Sequence, residues 1–261
     1  MTTPRPPVPA PAADPPSMHV ENHTWSSPAL GHDMALKVYG HAGRPVVAFP
    51  SQDGRYWDFE AWGMVEACAG LIDAGRLRLV AVDGVDWESW TRWDSPPADR
   101  GRRHDAYDAY IAGEVVPFLR DKTGWARAWA TGASMGAYHA ANVVFRHPDA
   151  FDGLIAISGL YQLSMFVGDD ASEPVYLNSP LRYLPNLDDP WYLDRLRAAK
   201  LAFVVGRGAW EDEMLADTRA MRDVLAAKSI PAIVDEWGDD VNHDWPWWRK
   251  MLPYYLERLG V

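Results

Sequence analysis

ARAWATGASMGAYHAANVVFR, residues 126–146, joins a strand, a tight turn and a helix in immediate succession. Ala126 to Gly132 is an apolar run of strand length, and Met135 to Arg146 repeats its apolar residues with helix period. Between them Gly132-Ala133-Ser134-Met135-Gly136 leaves a turn so short that the residues two before and two after the serine must be small. Such a turn lifts the Ser134 hydroxyl clear of the strand end. It also aims the Met135 amide, at the helix N-terminus, toward any carbonyl held there, where it can serve as an oxyanion donor. A serine that merely caps a helix after a glycine turn is the plainer alternative, and the flanking strand and helix favour the nucleophile turn.

Outward from this unit the same alternation continues. Strand candidates are Met34 to Gly40, Pro45 to Pro50, Leu77 to Gly84, Gly153 to Gly159, Leu201 to Gly206 and Pro231 to Trp237. Helix candidates are Phe59 to Ala74, Arg102 to Asp121, Asp212 to Lys228 and Trp245 to Arg258. The pattern predicts an α/β chain: a mostly parallel central sheet with helices on both faces. Gly40 to Arg44 reads as a hairpin turn, which predicts an antiparallel N-terminal strand pair from the first two strands. Residues 1–17, rich in proline and poor in large apolar groups, are expected to be a disordered tail, and residues 18–261 a single catalytic domain.

A serine hydroxyl needs a general base, and after a turn of this kind the chain order is Ser, then an acid, then His. His243, in the polar loop GDDVNHDWPWW, follows the last strand. The acid is expected after LAFVVG, where Glu211, Asp212 and Glu213 stand in a row; Glu211 and Asp212 both have suitable spacing and both stay open. A second oxyanion amide is expected in Ser51-Gln52-Asp53-Gly54, with Gln52 the first choice.

The whole set resembles the Putative esterase branch of the α/β-hydrolases, which holds esterase D, S-formylglutathione hydrolases, enterochelin and feruloyl esterases, and mycolyltransferases. The resemblance is carried by GASMGAYHAANVVFRHPDAFDGLIAISGLY and by WGDDVNHDWPWW, and runs from Met34 to the C-terminus. It implies an α/β-hydrolase fold with Ser134 as nucleophile, His243 as base and Glu211 or Asp212 as acid. FPSQDG departs from the branch, which usually has His-Gly or Asp-Gly at the second oxyanion donor.

Composition narrows the rest. With 25 Lys and Arg against 36 Asp and Glu, the net charge is −11, which repels phosphate backbones and anionic lipid, so neither nucleic acid nor membrane is an expected partner. The absence of a signal-like start or a long apolar run makes a cytoplasmic location the expectation. The single cysteine, Cys68, rules out an internal disulfide. The metal and nucleotide motifs are missing, so no cofactor and no metal are expected. Fourteen tryptophans are an excess, and many lie in loops after strands. Tyr56, Trp57, Trp87, Trp90, Trp93 and Tyr161 are accordingly expected to wall a substrate pocket for an aromatic, acyl-chain or sugar-bearing ester. The functions these residues imply are ester or thioester hydrolysis through an acyl-enzyme, acyl transfer from the same intermediate, or a binding module with a vestigial triad.

Overall fold

The computed structural model describes residues 18–261; the tail reading for residues 1–17 lies outside them. Eight strands form one sheet: β1 (Val20–Ser26), β2 (Asp33–Tyr39), β3 (Arg44–Phe49), β4 (Leu77–Val82), β5 (Ala128–Ala133), β6 (Phe151–Ile157), β7 (Lys200–Val205) and β8 (Ile233–Glu236). Their order is β1-β2-β4-β3-β5-β6-β7-β8, with β1 and β2 antiparallel to their neighbours and the others parallel. Helices of two turns or more are α1 (Pro97–Tyr110), α2 (Val116–Thr123), α3 (Met135–Arg146), α4 (Pro190–Ala198), α5 (Asp212–Ala227) and α6 (Trp245–Leu259).

Alternate residues of the central strands feed two separate cores. Val47, Phe49, Val80, Val82, Ala130 and Leu154 pack with Tyr107 and Tyr110 of α1 and Ala137, Ala141, Val144 and Phe145 of α3. Val46, Ala48, Leu79, Ala81, Ile155 and Ile157 point the other way, onto Met251, Leu252, Tyr255 and Leu256 of α6. Burial on both faces is why these strands read as continuous apolar runs.

The expected pairing of the first two strands is corrected. β2 and β3 do not pair; β4 lies between them, antiparallel to β2 and parallel to β3. The N-terminal antiparallel pair is instead β1 with β2, from Val20 opposite Tyr39 to Ser26 opposite Asp33. Gly43, at φ +93°, crosses the start of β4 so closely that a Cβ would lie 2.2 Å from the Arg76 carbonyl carbon. The segment is thus a crossing, where the glycines had suggested a turn. The predicted helix over Phe59 to Ala74 is broken into Asp58–Ala61, Met64–Ala67 and Ala69–Asp73, with Gly63 at φ +75° between the first two. The predicted helix over Arg102 to Asp121 starts earlier, at Pro97, and passes through a π-helical stretch, Ile111–Val115, just before Pro117. Proline has no N–H to give back to the preceding turn, and the ladder loosens there.

Candidate active site

β5 enters the elbow at Ala133, and Ser134 takes φ 57°, ψ −124°, a conformation that costs a non-glycine residue about 1–3 kcal/mol. Close packing holds it there. A Cβ at Gly132 would lie 2.3 Å from the Gly136 carbonyl carbon, and one at Gly136 would lie 2.5 Å from the Phe49 carbonyl oxygen. Ser134 N–H also donates to Ile157 O at 3.0 Å, stitching the turn to β6.

Two further loops meet it. His243 Nε2 lies 2.9 Å from Ser134 Oγ, and its Nδ1 lies 3.2 Å from Glu211 Oε2. The histidine loop is fixed to the acid loop by His243 N–H to Ala209 O at 3.0 Å and Ala209 N–H to Asn242 Oδ1 at 2.8 Å. Glu211 is buried, with 1% exposure, at the end of the loop that follows β7. A buried carboxylate is costly unless its oxygens are satisfied. Oε1 accepts the Ser158 hydroxyl at 2.6 Å and Gly206 N–H at 3.3 Å. Asp212, the other acid left open by the sequence, is exposed at the first position of α5, where a negative charge favours the helix N-terminus. The imidazole therefore meets Glu211, not Asp212.

Among the described residues, neither Met135 N–H nor Gln52 N–H donates to a protein acceptor. The loop carrying Gln52 is anchored on both sides of it. Ser51 Oγ donates to Ala133 O at 3.2 Å, and Asp53 N–H donates to Asp86 Oδ2 at 3.1 Å. The other oxygen of Asp86 is 2.9 Å from Nε2 of His139 on α3, so one buried carboxylate ties this loop to the helix that starts at the elbow.

A model of the family described as "Putative esterase" matches residues 27–259. The chain belongs to that family. No curated protein matches it by sequence. Among solved structures, a ferulic acid esterase superposes with a TM-score of 0.73 at 18% identity, covering 93% of this chain and 97% of that one. S-formylglutathione hydrolase from Staphylococcus aureus gives 0.67 at 13% identity over 93% and 96%. A ferulic acid esterase from Anaeromyces mucronatus, in complex with ferulic acid, gives 0.64 at 11% over 92% and 90%. At such identities the likeness shows the α/β-hydrolase fold, and the esterase family supports a hydrolase.

The aromatic residues expected around an esterase pocket divide. Trp57 and Trp87 are partly exposed and flank the Arg55 guanidinium at 4.7 and 5.4 Å from their ring centroids, while Tyr56 meets Trp57 edge-on at 4.8 Å. Arg55 is itself held by Asp83 through bonds of 2.7 and 2.9 Å. Trp93, 63% exposed, stacks on Phe166 at 5.8 Å. Trp90 and Tyr161 are corrected: both are fully buried. Trp90 packs on His104 at 5.1 Å and Tyr138 at 6.3 Å, and Tyr161 packs edge-on against Phe203 at 5.5 Å. They build the floor under the loops and offer no face to a ligand.

Three residues of the site were given no role in it by the sequence: Ser158 and Asp86, and Trp248, which stood out only as one of the tryptophans beside the base. Ser158 follows β6 at φ 50°, and Trp248, buried on α6, donates its indole N–H to Ser158 Oγ at 3.2 Å. The approach of β6, β7 and α6 to one another reveals the first two, Ser158 and Trp248, and the approach of the segment after β4 to α3 reveals Asp86.

Proposed function

We propose that residues 18–261 act as one catalytic domain of a serine esterase that cleaves a carboxylic ester or thioester through an acyl-enzyme. Ser134 Oγ attacks the ester carbonyl carbon while His243 Nε2 takes its proton. Glu211 holds the imidazole with Nδ1–H toward itself and stabilises the imidazolium that forms. The oxyanion receives the two uncommitted amides, Met135 N–H and Gln52 N–H, each worth on the order of 10²–10³ in rate for such a donor. On collapse the leaving alkoxide or thiolate takes the proton from Nε2. Water then repeats the sequence on the acyl-serine, releasing the acid and restoring Ser134.

The observation that carries this reading is the continuous bonded set, Ser134 Oγ to His243 Nε2 at 2.9 Å and His243 Nδ1 to Glu211 Oε2 at 3.2 Å. A hydroxyl that only capped a helix would have no need of an imidazole backed by a buried acid. The indole faces of Trp57 and Trp87 favour an aryl or other flat apolar group in the substrate, and the ferulic acid bound in a structural relative is consistent with that class. The test is labelling by a fluorophosphonate together with turnover of p-nitrophenyl acetate. Wild-type protein is expected to do both and Ser134→Ala neither. Folded wild-type protein that does neither refutes the proposal.

A further inference from the structure

We infer that Ser158 and Trp248 are positioning residues, which act through Glu211 to hold His243 in its working orientation. The inference rests on the catalytic reading above and extends it by two residues. Ser158, the residue after β6, lies in the left-handed region, at φ 50°, with its N–H committed to Val204 O at 2.7 Å. A non-glycine residue persists in that region only where its surroundings hold it, and here the turn brings the hydroxyl to 2.6 Å from Glu211 Oε1. A hydroxyl can donate or accept, so proximity alone does not orient it. The indole of Trp248 does: indole N–H is a donor only, and it points at Ser158 Oγ from 3.2 Å. With its lone pair engaged, the hydroxyl turns its hydrogen to the carboxylate. Oε1 is then occupied by Ser158 and Gly206 N–H, which leaves Oε2 for His243 Nδ1. The same indole packs edge-on against the His243 ring, centroids 4.9 Å apart at 87°. One buried side chain thus orients the acid from behind and the base from the side.

Ser158→Ala removes a hydrogen bond to a charged group. It is expected to lower kcat on p-nitrophenyl acetate by about 10- to 100-fold with KM unchanged. Trp248→Phe keeps a ring beside His243 and removes the N–H. Because that N–H works through the Ser158 hydroxyl, the double variant should be no slower than Ser158→Ala alone. A loss of packing would move KM and kcat together and would multiply in the double variant. A Ser158→Ala kcat within twofold of wild type, or losses that multiply, overturns the inference. Should Ser158→Ala not fold, Trp248→Phe decides: a lower kcat at constant KM supports the role and an unchanged kcat refutes it. Ser134→Ala, run alongside, separates the two levels. Activity surviving there refutes the catalytic reading itself, whereas an inactive Ser134→Ala beside a wild-type-like Ser158→Ala refutes only the positioning role.

Discussion

Replacing Glu211 by glutamine keeps the shape of the side chain and removes its charge. In a medium of effective dielectric about 20, an imidazolium and a carboxylate 3.2 Å apart attract by about 5 kcal/mol. Since Glu211 is buried, little of this is returned by solvent. The charge exists on His243 only while it holds the serine proton, so the loss falls on the transition state and corresponds to about 10³–10⁴ in kcat/KM. Hydrogen bonding adds to it. Ser158 Oγ and Gly206 N–H both donate to Oε1, so the amide oxygen of the glutamine must sit there, with its NH2 facing His243 Nδ1. That arrangement puts the imidazole proton on Nε2, the wrong tautomer to accept from Ser134. The assay is p-nitrophenyl ester turnover by Glu211→Gln beside Asp212→Asn, with the rate of fluorophosphonate labelling as a second reading of nucleophilicity. Asp212, exposed at the start of α5, should matter by less than about twofold in activity, since its charge favours the helix terminus and does not reach the imidazole. Glu211→Gln within tenfold of wild type, or Asp212→Asn as damaging as Glu211→Gln, would refute the reasoning.

Three other outcomes are expected. Trp90→Ala should cost about 3–5 kcal/mol of stability, read by urea denaturation, because the ring is wholly enclosed; Trp93→Ala, at a 63% exposed site, should leave stability within about 0.5 kcal/mol. Burial holds His104 well below the usual histidine range, so it stays neutral in the native state while the unfolded chain takes up a proton as pH falls through 6.5. Its contribution is therefore complete above pH 6.5 and declines below it, by up to about 1.4 kcal/mol per pH unit; His104→Phe should lose less stability than wild type between pH 7.5 and 5.5, and parallel curves would contradict this. Burial likewise pushes the Cys68 thiol up to about 12, so iodoacetamide at pH 8 should modify the unfolded chain and spare the native one, as counted by mass spectrometry.

How legible each part was follows from where its cause lies. β3 to β7 were readable because a strand buried on both faces must be apolar throughout, and the burial of β5 and β6 bears this out. β1 was not, since VENHTWS on the sheet edge is only half-buried, on one side, and that side is filled by Glu21, His23 and Trp25. The glycines at 40 and 43 were read as a hairpin because a positive φ suits a turn and a close crossing equally. α4 is absent from the expected helices although Asp189 caps it by accepting Trp191 N–H at 2.8 Å and Pro190 takes its first position, where a proline is compatible with a helix start as well as with a loop. The elbow needed no long-range knowledge. The part of its constraint that is local is enough: the two glycines lie against each other across the turn, and the Phe49 carbonyl of β3 adds a long-range limit at Gly136 alone.

The choice between two adjacent acids was illegible for a different reason. Composition and spacing were equal for Glu211 and Asp212, and what separates them is one backbone angle. Trp210 sits in the left-handed region at φ 66°, an outlier for so large a side chain, and is 83% exposed. That twist throws the indole outward and turns the next residue in, so Glu211 enters the buried space between Ser158 and His243 while Asp212 opens the helix. Trp210 thus belongs to the tryptophan excess without walling any pocket. Other indoles are likewise engaged with the protein itself: Trp125 lies under the Arg44 guanidinium at 4.0 Å, Trp191 under Arg195 at 4.1 Å, and Trp62 stacks on Trp245 at 5.5 Å. A count of tryptophans in loops cannot distinguish these uses, because an indole covering a cation, an indole at a strained turn and an indole facing a ligand occupy the same kind of sequence. Trp57 and Trp87, on the loops that follow β3 and β4, cover the Arg55 guanidinium in the same way, so any aryl group they met would have to use the part of each ring that Arg55 leaves open.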